Sequence, residues 1–190
     1  MSSRLLYVVG PSGVGKDSLL AWLSAQLDQH TLPPVHIARR SITRAADLGT
    51  EGHEALATEA FAALVSDGAF AMHWQANGLH YGIRQTELTG LDAGAWVVVN
   101  GSRAYVPTLR QNWPGVCVLH IDAPAAVVRE RLLRRGREAA QDIEARVARS
   151  QQLSAPSMPG DLQISNAGSL DDCGHQLLAL LRHRMQTRAL

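Results

Sequence analysis

The chain has 190 residues, the size expected of one domain, and a formal net charge of +1 at pH 7. This near-neutral charge gives no electrostatic reason to expect a nucleic-acid partner or an anionic membrane surface. Its two cysteines form no metal or disulfide pattern, and no apolar run reaches the roughly 18 residues of a membrane helix. We therefore expect a cytoplasmic protein with reduced thiols and no membrane span.

The first predicted elements are a buried strand, Leu5–Val9, and a helix from Ser18, joined by a glycine-rich turn. A strand, a glycine-rich turn and a helix form the context of a phosphate-binding P-loop. Glycines let backbone N–H groups turn toward a phosphate, and the helix N-terminus adds partial positive charge. The predicted nucleotide-binding residues are Gly10, Pro11, Ser12, Gly13, Val14, Gly15, Lys16, Asp17 and Ser18.

Lys16 is the only lysine of the chain, because the other basic residues are all arginine. A compact ammonium suits the outer phosphates of a nucleotide, and we predict a catalytic role for it. The usual motif places Ser or Thr after the lysine to bind Mg²⁺, whereas this chain has Asp17 there and Ser18 one place later. We predict that Asp17 binds the metal, with ATP as co-substrate and Mg²⁺ as cofactor.

Residues 36–85 are predicted to form a small mixed insert between two parts of a core, 1–35 and 86–190. The insert begins with three arginines within six residues, at positions 39, 40 and 44. A short helix, which Thr58 is predicted to cap, precedes two short strands at 69–74 and 78–82. His53-Glu54 is not a zinc motif, and a structural role and a substrate contact both stay open for it.

Three further strands are predicted in the core, at 96–100, 116–121 and 162–164, each separated from the next by helical segments. Asp122 and Ser169 are predicted caps of the helices that follow the last two of these strands. The alternation predicts an α/β three-layer sandwich with a parallel core sheet. Ligands in such sheets bind beyond the carboxyl ends of the strands, where the P-loop would lie.

Arginines crowd around Gly136, which separates helices predicted at 125–135 and about 139–150. Acidic residues are few there, and phosphoryl transfer needs cations over the transferring group and a cover that excludes water. We predict an Arg-rich lid at about 134–150. The predicted catalytic arginines are Arg131, which precedes the lid, and Arg135 and Arg146 within it. A solvated helical face is the alternative interpretation of this charge run.

Nothing in the sequence resembles a general base that would deprotonate an alcohol. A phosphate acceptor needs no such base, because a phosphomonoester has a second pKa of about 6 and is largely ionised at pH 7. Arginine clusters on both sides of the P-loop fit two phosphorylated substrates. The sequence therefore predicts a kinase with ATP as donor and a phosphate group as acceptor.

From about residue 4 to residue 182 the chain resembles the guanylate kinase superfamily. The matching pieces are the P-loop, Thr43-Arg44, Asp67-Gly68-Ala69-Phe70, Tyr81-Gly82 and Arg131-Leu132-Leu133-Arg134-Arg135-Gly136-Arg137. The resemblance implies a guanylate-kinase-like P-loop fold with an acceptor-binding insert and a lid. It also implies that Arg44 and Tyr81 hold the acceptor phosphate.

The departures from that family concern the acceptor. The glutamate that recognises guanine would fall at Met72, and the hydroxyl that helps it at Ile83. The second phosphate-binding arginine is replaced by Asp47, and the Asp-x-Asp of the central strand by Asn100-Gly101-Ser102. A pocket without a carboxylate for the N–H edge of guanine should not select guanine.

The pattern more closely resembles one branch of the superfamily, the ribose 1,5-bisphosphate phosphokinases of bacterial phosphonate utilisation. The shared stretches are the P-loop ending in Lys-Asp-Ser-Leu-Leu, Asn77 to Gly82, and Val99 to Arg103. The resemblance implies ATP-dependent formation of 5-phosphoribosyl 1-diphosphate (PRPP), with Asn100, Ser102 and Arg103 binding a phosphorylated sugar. A nucleoside monophosphate kinase and a non-catalytic binding module are the alternatives, and a monomer and a homodimer both stay open.

Overall fold

The structure, a computed structural model, describes residues 4–27, 34–44, 52–136, 143–144, 147–148 and 157–186. The strands are β1 Leu5–Val9, β2 Val35–Ile37, β3 Arg40–Ile42, β4 His53–Ala55, β5 Phe70–Ala76, β6 Leu79–Arg84, β7 Trp96–Asn100, β8 Cys117–Asp122 and β9 Leu162–Ser165. The α-helices are α1 Lys16–Leu27, α2 Thr58–Ser66, α3 Val106–Asn112, α4 Ala125–Arg135 and α5 Leu170–Gln186, and 3-10 helices lie at Gln85–Leu91 and Arg103–Tyr105. None of the helices in these ranges has both the length and the apolar character needed to cross a bilayer.

The core sheet has the strand order β2-β7-β1-β8-β9, and every pair in it is parallel. All five residues of β1 are buried, as the continuous apolar run predicts. Leu6 and Val8 pack in one apolar cluster with residues of α1 and α5, whereas Leu5, Tyr7 and Val9 pack in another with residues of α3 and the second sheet. The sheet is therefore covered on both faces, which confirms the predicted sandwich.

The second sheet is mixed, with the order β4-β3-β6-β5. The predicted start of the insert at residue 36 falls inside β2, which pairs with β7 in the core sheet, with Val35 opposite Trp96. That boundary was therefore wrong, because a three-residue strand has too little pattern to show which sheet it joins. The second sheet begins at Arg40 on β3.

Two of the three predicted helix caps are not found. Thr58 is the first residue of α2, whose N-cap is Ala57. Asp122 ends β8, and its carboxylate accepts a hydrogen bond from Gln163 Nε2 at 2.9 Å instead of capping α4. Ser169 does cap α5, because its hydroxyl oxygen accepts the backbone N–H of Asp172 at 3.1 Å.

Gly101, directly after β7, packs against the ring of Tyr7. A Cβ at this position would lie 1.9 Å from Tyr7 Cζ, so the ring or the strand end must move. We expect Gly101→Ala to lower the free energy of unfolding by about 2–3 kcal/mol. Urea unfolding checks this, with Gly168→Ala as the matched control, since the nearest atom to that added Cβ is 3.7 Å away. Equal stability of the two variants would show that the Tyr7 contact is not tight.

Glu54 joins three strands of the second sheet. Its carboxylate accepts bonds from Arg84 Nε at 2.8 Å, Arg84 Nη2 at 2.7 Å and Ser41 Oγ at 2.6 Å. The hydrogen bonds from Arg84 lower the pKa of Glu54 despite its partial burial. Of the two roles left open for His53-Glu54, these contacts therefore give Glu54 the structural one.

We expect Glu54→Gln to lower Tm by about 2 °C at neutral pH, because the ion pair is partly exposed and hence weak. Since the pKa is lower in the folded state, this contribution is complete above the ordinary pKa of glutamate. It is lost as the pH falls through the lowered value. Thermal unfolding from about pH 7 to about pH 3 should therefore show the two Tm curves converging in acid; a constant difference would contradict the assignment.

Candidate active site

The loop between β1 and α1 lies at the carboxyl edge of the core sheet, where this fold class binds ligands. Gly15 has a φ of 97°, a conformation that favours glycine. A Cβ there would lie 2.7 Å from Asn166 Nδ2, because the loop packs against the segment after β9. The predicted P-loop is thus closed on one side by a residue far away in the chain.

Lys16 is the first residue of α1, and its side chain turns back onto the loop. Its ammonium donates to the carbonyl oxygens of Gly10 at 2.8 Å and Pro11 at 3.0 Å. The only ammonium side chain of the protein is therefore held at the P-loop. Its contact with nucleotide phosphates stays a prediction.

A cavity of about 360 Å³ opens beside the P-loop. Its lining residues are Gly15, Ser18, Arg131, Arg134, Asn166 and Leu170. The structure thus brings Arg131, from α4, next to two residues of the predicted nucleotide-binding segment. The place and size of the cavity suit part of a nucleotide outside the phosphate loop.

Asn166 and Leu170 were missed by the sequence analysis. Asn166 is 2% exposed, and its Nδ2 donates to the carbonyl oxygen of Val14 at 2.8 Å. Arg131 Nη1 donates to the Asn166 carbonyl at 2.9 Å, so Arg131 braces the same wall of the cavity. The one available signal was that Asn166 follows the last core strand, at the edge of the sheet where ligands bind.

The arginines around Gly136 are more fully paired than the sequence suggested. Arg129 forms a bidentate ion pair with Glu144, and Arg134 Nη2 lies 2.6 Å from Glu130 Oε1. The side chain of Arg135 and all of Arg146 lie outside the described residues, as does most of the predicted lid. Their catalytic roles stay predictions.

Asp17 connects the P-loop to both sheets. Its Oδ1 accepts bonds from Arg40 Nη2 on β3 at 2.5 Å and from Asn100 Nδ2 at the end of β7 at 2.8 Å. Asn100 is 4% exposed, and its Oδ1 has no hydrogen-bond partner in the described part of the chain. A carboxylate beside an unsatisfied amide oxygen is a donor set that a hard divalent cation accepts, so these residues fit Mg²⁺.

Tyr81 lies on β6, with its ring stacked on Trp74 at 5.7 Å between centroids and an interplanar angle of 4°. Gly82 follows it because a side chain there would collide with Phe70, 2.4 Å from the added Cβ. Ile42 of β3 pairs with Tyr81, and Arg44 follows two residues later. One of the two predicted phosphate-binding residues therefore lies on β6, and the other follows the adjacent strand β3.

Ser102 and Arg103 follow β7, close to the buried Tyr7. The Tyr7 hydroxyl accepts the backbone N–H of Ser102 at 3.0 Å, and burial raises the pKa of Tyr7, which keeps its hydroxyl protonated. Partial burial also lowers the pKa of Arg103, a desolvation that an anionic partner would offset. Their contacts with a sugar stay predictions.

The two positions that would recognise guanine lie opposite each other in the second sheet. Met72 of β5 pairs with Ile83 of β6, and the two side chains are 1% and 0% exposed. Both belong to the apolar cluster that contains Tyr7 and Val99. This part of the protein therefore has no polar group at these two positions for the edge of a base.

The P-loop holds the ammonium of Lys16, an arrangement that suits the phosphate groups of a ligand. The second sheet contacts this loop through Arg40, whose guanidinium pairs with Asp17. This arrangement, at the carboxyl edge of a parallel sheet, defines a P-loop kinase. The guanylate kinase family model matches residues 2–184, and the chain belongs to that family.

A relative from Burkholderia pseudomallei (strain K96243), named ribose 1,5-bisphosphate phosphokinase PhnN, is 45% identical over 180 residues, which cover 95% of this chain and 96% of the relative. A relative of the same name from Pseudomonas fluorescens (strain SBW25) is 42% identical over 187 residues, 96% of this chain and 97% of the relative. Among solved structures, a guanylate kinase from Anaplasma phagocytophilum has a TM-score of 0.65 at 19% identity, over 95% of this chain and 85% of that one. The last similarity concerns the fold alone.

Proposed function

We propose that the protein transfers the γ-phosphoryl group of ATP to the 1-phosphate of ribose 1,5-bisphosphate, giving ADP and 5-phosphoribosyl 1-diphosphate. A bond forms between an oxygen of the 1-phosphate and the γ-phosphorus, and the bond from that phosphorus to the β–γ bridging oxygen breaks. The acceptor oxygen is already ionised near neutral pH, so no general base is needed. Catalysis then consists of positioning and charge stabilisation.

The observation that carries this proposal is the apolar Met72–Ile83 pair where a guanylate kinase would need polar groups. Burying the N–H edge of guanine against these side chains would leave its donors unpaired, at about 1–3 kcal/mol each. The names of the relatives support the same acceptor. The similarity to the solved guanylate kinase, at 19% identity, supports the fold and not its acceptor.

We assign the remaining residues the roles that the sequence analysis predicts for them. Lys16 and the backbone N–H groups of Gly10 and residues 12–18 hold the ATP phosphates, and Arg44 and Tyr81 hold an acceptor phosphate. Asn100, Ser102 and Arg103 face the sugar, while Arg131, Arg135 and Arg146 act from α4 and the lid. Asp17, with the oxygen of Asn100, would hold Mg²⁺, which supplies charge neutralisation at the transferring phosphates.

Phosphorylated sugars and ATP are cytoplasmic metabolites, and we place the reaction there, in phosphonate metabolism. The chain would act as a monomer or a homodimer on small molecules alone. A phosphoryl-transfer assay with ribose 1,5-bisphosphate, GMP and AMP tests the proposal, with ADP release and ³¹P NMR of the products as readouts. Turnover of the pentose supports it, and rapid turnover of GMP with none of the pentose refutes it; Lys16→Met controls for contaminating kinases.

A further inference from the structure

Arg40 is one of three neighbouring arginines in the sequence, and its side chain links the second sheet to the P-loop. It begins β3 of the second sheet, and its side chain, 21% exposed, reaches the P-loop, where Nη2 lies 2.5 Å from Asp17 Oδ1. The carbon of the same guanidinium lies 6.0 Å from the ring centroid of Tyr81. One cation therefore contacts Asp17 of the P-loop and lies near Tyr81, the residue predicted to hold the acceptor phosphate.

The ion pair between Arg40 and Asp17 is open to solvent on the Asp17 side. The Asp17 side chain is 70% exposed, so water competes with the ion pair and the pair holds only weakly. The same carboxylate oxygen also accepts a hydrogen bond from Asn100 Nδ2. The other amide atom of Asn100, Oδ1, is therefore buried with no hydrogen-bond partner among the residues that the structure describes. A buried amide oxygen without a donor or cation is unfavourable.

A divalent cation at this place would bind the Asp17 carboxylate and could satisfy Asn100 Oδ1. It would then compete with Arg40 for Asp17, because two cations cannot share one carboxylate oxygen without repulsion. Once released, the guanidinium has no other carboxylate partner among the described residues and lies beside Tyr81. A guanidinium fork matches the oxygens of a phosphate, so the acceptor is its natural next partner.

We propose that Arg40 is an acceptor-binding residue that changes partner: it pairs with Asp17 in the free protein and with a phosphate of the acceptor once Mg²⁺ and nucleotide are bound. This rests on the proposed function, whose acceptor carries two phosphates. Because of this exchange, bound magnesium–nucleotide raises the affinity of the protein for the acceptor. Bound acceptor raises the affinity for magnesium–nucleotide by the same factor. The coupling also keeps the acceptor from binding tightly before the donor is in place.

Calorimetric titration of ribose 1,5-bisphosphate tests the proposal, with and without Mg²⁺ and a non-hydrolysable ATP analogue. We expect the wild-type protein to bind the pentose at least about fivefold more tightly in the presence of the magnesium–analogue pair. In Arg40→Met the ratio should fall to about one and the affinity in the loaded state should drop. In Asp17→Asn, where Arg40 is already released, the metal-free protein should bind the pentose more tightly than wild type does, and Mn²⁺ binding followed by electron paramagnetic resonance should weaken.

Arg39→Met is the matched control, because Arg39 is the adjacent exposed arginine and donates to the carbonyl of His53, not to Asp17. It should keep the wild-type coupling ratio. Unchanged pentose affinity in loaded Arg40→Met, or in metal-free Asp17→Asn, would overturn the exchange. The two variants test the exchange independently, so the other variant still decides the question if one of them fails to fold. If the wild-type protein binds GMP and not the pentose, the proposed function itself fails. That outcome is distinct from the two variant results that would overturn the exchange.

Discussion

Lys16→Met is expected to lower kcat by about 10³-fold, with a smaller rise in KM for ATP. The ammonium is held at the P-loop by the carbonyls of Gly10 and Pro11, and the chain has no second lysine to replace it. The negative charge that develops on the phosphates in the transition state interacts with this cation more strongly than the charge of the ground state does. The substitution should therefore lower kcat more than it raises KM. Steady-state kinetics at saturating acceptor measures the effect.

Two further variants make the Lys16 result specific. Arg182→Met removes one exposed cation from α5 and changes the net charge equally, so it should retain wild-type kinetics. Lys16→Arg keeps the charge in a planar fork of different shape and should recover only part of the lost activity. A Lys16→Met protein that binds ATP normally and keeps more than about a tenth of the wild-type kcat would contradict the assigned role.

The second large effect concerns Asp17, the carboxylate that we propose as a metal ligand. Asp17→Ser is expected to weaken Mg²⁺-dependent turnover and Mn²⁺ binding by at least about 10-fold, because loss of even an outer-shell partner of a metal ligand typically costs about 10- to 100-fold. Adding Asn100→Asp should restore part of both, because the side chains of residues 17 and 100 are in contact at 2.8 Å. The carboxylate then moves from the loop to the end of β7 while the charge of the site stays the same.

Asn100→Asp alone is the control for this exchange. It would place two carboxylates at one site, and mutual repulsion would raise the pKa of one of them and lower stability in the absence of metal. Asn100→Asp should therefore improve metal binding and turnover only when Asp17 is replaced at the same time. A double variant no better than Asp17→Ser in metal affinity and in turnover would mean that the loop and the strand do not share one metal site.

Local pattern was enough to predict the P-loop and the parallel core. The run at Leu5–Val9 is buried throughout, and Gly13 and Gly15 in the turn that follows both have a positive φ. The resemblance supplied Tyr81 and the apolar pair that replaces the guanine contacts. Each of these signals is contained in a short stretch of the chain, which is why the sequence alone could reveal it.

Contacts between distant segments could not be predicted in the same way. Asn166 reaches Val14 across 152 positions, and Arg40 reaches Asp17 only because β3 lies in a second sheet beside the P-loop. The start of the insert was also misplaced, since β2 is too short for its pattern to distinguish a core strand from an insert strand. In each case the missing information is the pairing of strands and not the chemistry of the residue.

The central claim is that this guanylate kinase fold has exchanged a purine acceptor for a phosphorylated pentose, and a competition experiment tests it most directly. Equal concentrations of ribose 1,5-bisphosphate and GMP are incubated with ATP, Mg²⁺ and the protein, and the products are followed by ³¹P NMR. We predict resonances of a pentose 1-diphosphate and at least about a 100-fold preference for the pentose, with GMP unchanged. Formation of GDP while the pentose stays untouched would contradict the account.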